Sequence, residues 1–118
     1  MKALICDDEI GIINILKKFL EYKGLLVDYA LDGKEALELI IHETGYDIVF
    51  LDVNMPELTG VDILKYVREN HVKAKVVVLT GYPGVSKDFC MMLGADEYLE
   101  KPIDLKAIGE IVDKYTPS

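Results

Sequence analysis

The sequence predicts an α/β fold, a doubly wound parallel sheet of five strands covered by five helices, in one domain of 118 residues. Three observations carry this reading. Short runs dense in Val, Ile and Leu alternate with longer segments of helical period. The strand runs are mostly continuous in apolar residues, as expected for strands buried on both faces. Glycines and acids stand at the joints, and strands alternating with helices pair in parallel through right-handed crossovers. A chain of this length buries roughly two-thirds of its unfolded surface, so it needs no disulfide or structural metal and has no room for a second domain.

Ala3 to Cys6 is read as the first strand, ending in Asp7-Asp8, and Ile12, Ile13, Leu16, Phe19 and Leu20 then keep the spacing of one helix face until Gly24. Leu25 to Ala30 is the second strand. Asp32 caps a helix whose Ala36, Leu37, Ile40 and Ile41 are expected inward, up to Gly45. Asp47 to Leu51 is the third strand, terminating at Asp52, and a helix opening near Gly60 carries Val61, Leu64, Tyr66 and Val67 to about Asn70. Lys75 to Leu79 is the fourth strand, ending at Thr80. The helix after Pro83-Gly84 is expected to bury Val85, Phe89, Met92 and Leu93, with Met91 and Met92 as core filler. Glu97 to Leu99 is a short fifth strand, Asp104 caps a last helix with Leu105, Ile108, Ile111 and Val112 inward, and Thr116-Pro117-Ser118 is a tail or the start of a linker.

The balance of 13 Lys+Arg against 21 Asp+Glu, a net charge of −8, argues against direct nucleic-acid binding, which needs a basic stripe. The only arginine is Arg68. Cys6 and Cys90 lie in apolar stretches outside any CxxC pair and are read as small buried side chains in a reducing cytoplasm. The apolar start is too short for a signal peptide or a membrane span. His42 and His71 fall on helices away from the acidic strand ends and are read as surface residues.

In open parallel sheets ligands bind beyond the carboxyl ends of the strands. Asp7, Asp8, Asp52, Thr80 and Lys101 all fall there. Three clustered carboxylates repel by about 4 kcal/mol per pair at 4 Å if the effective dielectric is about 20, so a cation must relieve them. Oxygen ligands without His or Cys select Mg²⁺, with Mn²⁺ as the alternative, and Mg²⁺ prefers one or two carboxylates plus water and phosphate oxygens. A carboxylate can accept a phosphoryl group as an aspartyl phosphate while a lysine and a hydroxyl neutralise its oxygens. In that scheme Asp52 is the nucleophile, Lys101 the cation, Thr80 the hydroxyl donor, and Asp7 and Asp8 hold the metal. Spacing alone does not rank the three aspartates.

Ile5-Cys6-Asp7-Asp8-Glu9, Leu51-Asp52-Val53-Asn54-Met55-Pro56-Glu57-Leu58-Thr59-Gly60, Leu79-Thr80-Gly81 and Gly94-Ala95-Asp96-Glu97-Tyr98-Leu99-Glu100-Lys101-Pro102 resemble, in order and over essentially the whole chain, the receiver domain of two-component response regulators. The resemblance implies the flavodoxin-like strand order 2-1-3-4-5 and a receiver over residues 1-118, single-domain and similar to the chemotaxis regulator. It implies that Asp52 takes a phosphoryl group from a histidine kinase or histidine phosphotransfer protein. Asp8, Asp52 and the Asn54 backbone carbonyl would bind Mg²⁺, with Asp7 assisting through water. Thr80 and Lys101 would contact the phosphoryl, and Lys101-Pro102 would be a cis peptide. Thr80 and Tyr98 would form the switch that remodels the face of helix four, strand five and helix five toward a downstream target protein. Ile10, Gly11 and Asn14, with Pro102 in the loop after Lys101, would form the docking region. Asn54 and Tyr82 are expected to tune the rate, the Tyr82 ring shielding the acyl phosphate from water.

The expected protein is therefore a cytoplasmic phosphoacceptor, not a turnover enzyme, acting as a monomer or a phosphorylation-dependent dimer. Two alternatives stand beside it. One is a receiver fragment of a larger regulator or hybrid kinase, although the start at Met1 favours an N-terminal or complete receiver. The other is a Mg²⁺-dependent phosphatase with an aspartate nucleophile, suggested distantly by Asp52-Val53-Asn54. It fails because Asn54 cannot serve as the acid/base that turnover needs.

Overall fold

The computed structural model describes residues 1–43, 45–55, 58–81 and 86–117. Ten elements alternate without exception: β1 (Lys2–Cys6), α1 (Ile10–Tyr22), β2 (Leu26–Ala30), α2 (Gly33–His42), β3 (Ile48–Asp52), α3 (Gly60–Glu69), β4 (Lys75–Thr80), α4 (Lys87–Met92), β5 (Glu97–Glu100) and α5 (Leu105–Tyr115). The strands form one parallel sheet in the order β2-β1-β3-β4-β5. The winding reverses between β1 and β3, and a cleft opens at that switch point.

The two-residue period of the strands divides the core. Leu4, Cys6, Val49, Leu51, Val76 and Val78 meet α2, α3 and α4 on one face. Ala3, Ile5, Ile48, Phe50, Val77 and Leu79 meet α1 and α5 on the other. Both cysteines are fully buried, as expected, and burial pushes both thiols up. Asp32 caps α2 by accepting the Glu35 N–H, and Thr59 with Asp62 forms a capping box on α3.

Several inward assignments require correction. Ile41 is 45% exposed, while Leu39 packs against the core, because the apolar stripe of α2 is narrower than the Leu-Ile-Ile run suggests. Ile63, not named from the sequence, is buried in α3. Leu26 is 71% exposed at the start of β2, an outer strand of the sheet. The largest departure is α4, which has six residues and turns Cys90 inward. Phe89, Met91 and Met92 are exposed, Met92 by 75%, so the methionines are not core filler. The expected helix start at Pro83, Gly84 and Val85 lies outside the described residues.

Arg68 ties the end of α3 to the strand behind it. Its Nε donates to the Gly94 carbonyl at 2.8 Å, one terminal nitrogen donates to the Val72 and Ala74 carbonyls at 3.3 Å each, and the other pairs with Asp96 Oδ2 at 2.7 Å. Asp96 Oδ2 also accepts the Val76 N–H. Gly94 has a φ of +106°, and a Cβ there would come within 2.6 Å of the Arg68 Cγ. A lysine cannot reproduce this fork, so Arg68→Lys is expected to cost about 2 kcal/mol in urea unfolding. A loss below half of that would show that the fork is dispensable.

Candidate functional site

Asp7 and Asp52 are the residues at which β1 and β3 leave the sheet, and each holds its own loop in the same way. Asp7 Oδ1 accepts the Glu9 N–H at 2.9 Å, and Asp52 Oδ1 accepts the Asn54 N–H at 3.1 Å. The second oxygen of each carboxylate turns to Lys101, whose Nζ lies 2.9 Å from Asp7 Oδ2 and 3.4 Å from Asp52 Oδ2. By the strand period Asp7, Asp52 and Lys101 continue the face of Ile5, Phe50 and Leu99, so three distant segments deliver their charges to one side of the sheet. The Lys101-Pro102 peptide is cis, as the resemblance implied.

Asp7 is fully buried, Asp52 is 4% exposed and Asp8 stands exposed at the mouth. The cleft, of about 260 Å³, is lined by Asp8, Glu9, Asp52, Asn54, Gly81 and Lys101. One carboxylate oxygen from each of Asp7, Asp8 and Asp52 lies within 4.8 Å of the others. Asp7 Oδ2, close to the Lys101 ammonium but off a hydrogen-bonding direction, is a buried oxygen without a hydrogen bond. An oxygen-only donor set whose buried member is met by the Lys101 charge but by no hydrogen bond fits a small hard cation such as Mg²⁺.

Burial raises the Asp52 carboxyl to about 6; the Asp7 charge adds to this, while the Asn54 N–H and Lys101 oppose it. Burial works against the Lys101 charge, but Asp7, Glu9 and Asp52 outweigh it and raise the ammonium above the usual lysine range.

Thr80 is 2% exposed at the end of β4, and its carbonyl accepts the Lys101 N–H at 2.7 Å. Its side chain shares the strand face of Val76 and Val78 with Tyr98, which stands opposite Val78 and packs half-buried against the α2–α3–α4 core. Burial pushes the Tyr98 hydroxyl up. Ile10, Gly11, Asn14 and Pro102 are all exposed, but of these only Pro102 lines the groove of about 540 Å³ between α1 and the loop after β5, whose α1 side is made by Glu9, Ile12 and Ile15. His42 and His71 are exposed at the helix ends remote from the cleft. Tyr82 and the Pro56-Glu57 part of the motif lie outside the described residues.

Two contributors were not found in the sequence. Glu9 Oε1 accepts from Lys101 Nζ at 3.0 Å, a pairing across 92 positions that no local pattern announces. Gly33 lies so close to the loop after β3 that a Cβ would come within 2.6 Å of the Leu58 Cβ. Gly60 fits as tightly against the start of that loop, where a Cβ would meet the Val53 Cα at 2.7 Å. The two glycines clamp the loop that carries Asp52.

The model of the family described as response regulator receiver domain matches residues 3–113. Over 103 residues the chain is 35% identical to the transcriptional regulatory protein CpxR of Escherichia coli strain K12, covering 87% of this chain and 44% of that protein. It is 35% identical over 122 residues to hybrid signal transduction histidine kinase L of Dictyostelium discoideum, covering 97% of this chain and 7% of the kinase. Thus the chain spans less than half the length of either curated relative. Among solved structures, response regulator TrrA from Thermotoga maritima, in complex with Mg²⁺-BeF, aligns with a TM-score of 0.85 at 33% identity and covers 98% of both chains.

Proposed function

The chain belongs to the response regulator receiver domain family, and on that premise we propose that Asp52 is its phosphoacceptor in two-component signalling. One observation carries the assignment: the buried Asp52 carboxylate opens into the cleft where Asp7, Asp8 and Lys101 converge from separate segments. An Asp52 oxygen attacks the phosphorus of a donor, the bond from phosphorus to the donor's leaving atom breaks with its electron pair going to that atom, and an acyl phosphate forms. Water later attacks that phosphorus, restoring the carboxylate and releasing inorganic phosphate. The domain supports its own transfer and its own decay and is not a turnover enzyme.

Asp7, Asp8, Asp52 and the Asn54 carbonyl would hold Mg²⁺, or Mn²⁺ in its place, and the ion would neutralise charge on the transferring phosphoryl oxygens. Lys101 supplies the fixed positive charge on the other side. Thr80 moves toward the phosphoryl group and donates its hydroxyl to one of its oxygens, and Tyr98, on the same sheet face as Thr80, turns inward with it and alters the surface of α4, β5 and α5. Asn54 at the cleft rim, and Tyr82, set how readily water reaches the acyl phosphate.

The donor is a histidine kinase or phosphotransfer protein seated against Ile10, Gly11, Asn14 and Pro102, and the output is a downstream target protein. Residues 1-118 act as one receiver, in the cytoplasm, as a monomer or as a dimer formed on phosphorylation. Among the described residues no helix is long and apolar enough to cross a membrane. The expectation of no nucleic-acid partner is not supported: it rests on this domain's acidity, and relatives such as CpxR are transcriptional regulators whose sequence extends well beyond the matched part.

With Mg²⁺ and a small acyl phosphate, intact-mass measurement is expected to show one added phosphoryl group in the wild type and none in Asp52→Ala. Equal uptake by the variant, or none by the wild type, would overturn the assignment.

A further inference from the structure

Glu9 occupies the N-cap of α1, a position where a short oxygen side chain usually closes the first turn. The other four helices obey this rule: Asp32, Thr59, Ser86 and Asp104 each accept a backbone N–H of their own helix. Glu9 makes no capping bond. Its carboxylate reaches instead to the Lys101 ammonium at 3.0 Å, on the border between the cleft and the neighbouring groove, both of which it lines. The glutamate side chain is 60% exposed, whereas that of Lys101 is 12% exposed. Helix α1 therefore lacks its cap while a solvent-facing carboxylate holds the Lys101 ammonium that faces Asp52.

We propose that Glu9 is a latch on Lys101, a positioning residue that competes with the incoming phosphoryl group for the ammonium and so slows both capture of that group and the switch that follows. The proposal rests on Asp52 being the phosphoacceptor. Asp7 and Asp52 are 0% and 5% exposed at their side chains and hold Lys101 from within. Glu9 holds it from outside, and a half-exposed ion pair is weak enough to yield to a phosphoryl dianion. No bond is made or broken by Glu9 itself. Its effect passes entirely through where the Lys101 Nζ rests.

The test uses beryllofluoride with Mg²⁺ as the phosphoryl mimic and a small acyl phosphate as donor. Glu9→Gln removes the charge, and Glu9→Asp keeps the charge but withdraws it by one methylene. The latch requires both variants to bind beryllofluoride more tightly and to take up phosphoryl faster, by about threefold, the scale of an exposed ion pair. It also requires both gains to vanish when Lys101→Met is added, because the two residues then have nothing to exchange. Glu9→Asp is further expected to raise the Tm, since aspartate caps a helix better than glutamate.

Wild-type affinity and rate in Glu9→Asp, with a gain only in Glu9→Gln, would mean that charge at the mouth acts through space and would overturn the latch. The same gain in the Lys101→Met background would also overturn it. Either result leaves wild-type uptake at Asp52 intact, whereas failure of the phosphoacceptor reading appears as absence of uptake in the wild type.

Discussion

Asp52→Asn is expected to be more stable than the wild type by about 2 kcal/mol at pH 7 without divalent cations, while losing phosphoryl uptake altogether. Burial raises the Asp52 carboxyl from its ordinary value of 3.8 to about 6 in the folded protein. That displacement, already net of the opposing Asn54 and Lys101 contributions, corresponds to about 3 kcal/mol, and an amide group turned toward the Lys101 ammonium in place of Oδ2 offsets part of the gain. Because the folded carboxyl holds its proton more tightly than the unfolded one, the contribution of Asp52 is most favourable below about pH 4 and is lost as pH rises through 6. The difference between wild type and Asp52→Asn should therefore open between pH 4 and pH 7 and close again at the acid end. Mg²⁺ should narrow it at pH 7 by stabilising the wild type more. Urea unfolding at these two pH values decides the matter: an asparagine variant no more stable at pH 7 contradicts the strained carboxylate.

The second large effect belongs to Lys101. Lys101→Met removes the only cation within 4 Å of Asp7 and Asp52 among the described residues, leaving the fully buried Asp7 carboxylate uncompensated. A loss of about 3 kcal/mol at pH 7 is expected, typical of breaking a buried pair from one side. Lys101 is also one of the groups holding the Asp52 carboxyl down, so its removal pushes that carboxyl higher. The loss should thus be greatest above pH 6 and should shrink as pH falls and Asp52 takes up its proton. Saturating Mg²⁺ should restore much of the stability, because a divalent ion replaces the missing charge. Phosphoryl uptake should nevertheless stay about 100-fold below wild type if, as proposed, the lysine contacts the transferring group itself. Full stability of the variant in chelator would show that Asp7 and Asp52 do not depend on this ammonium.

Both predictions concern residues that the sequence placed at strand ends, and the reason is physical. An apolar run that stops at a polar residue marks where a strand leaves the core, so Asp7, Asp52 and Thr80 are readable without coordinates, whereas Lys101 follows the mixed Glu97-Tyr98-Leu99-Glu100 segment and is placed only by its position just after the fifth strand. The helix caps at Asp32 and Asp104 were equally local. Errors arose where the period was too short to define a face. Helix α4, with six residues, is under two turns, and the apolar pattern points Phe89 and Met92 inward although both are exposed. In α2 adjacent Leu39, Ile40 and Ile41 permit more than one stripe, and only contact with α3 and the sheet selects Leu39 over Ile41.

By itself the sequence determined the alternation of elements, their order along the chain, the family resemblance and the polar strand ends proposed as the site, because each is set by local period, local charge or matched motif. The tertiary structure decided the rest. It placed Glu9 on Lys101, pressed Gly33 and Gly60 against the Asp52 loop, and left one buried oxygen of Asp7 without a hydrogen bond. Those are contacts between residues distant in sequence, and burial and charge at such points exist only once the sheet has brought the segments together.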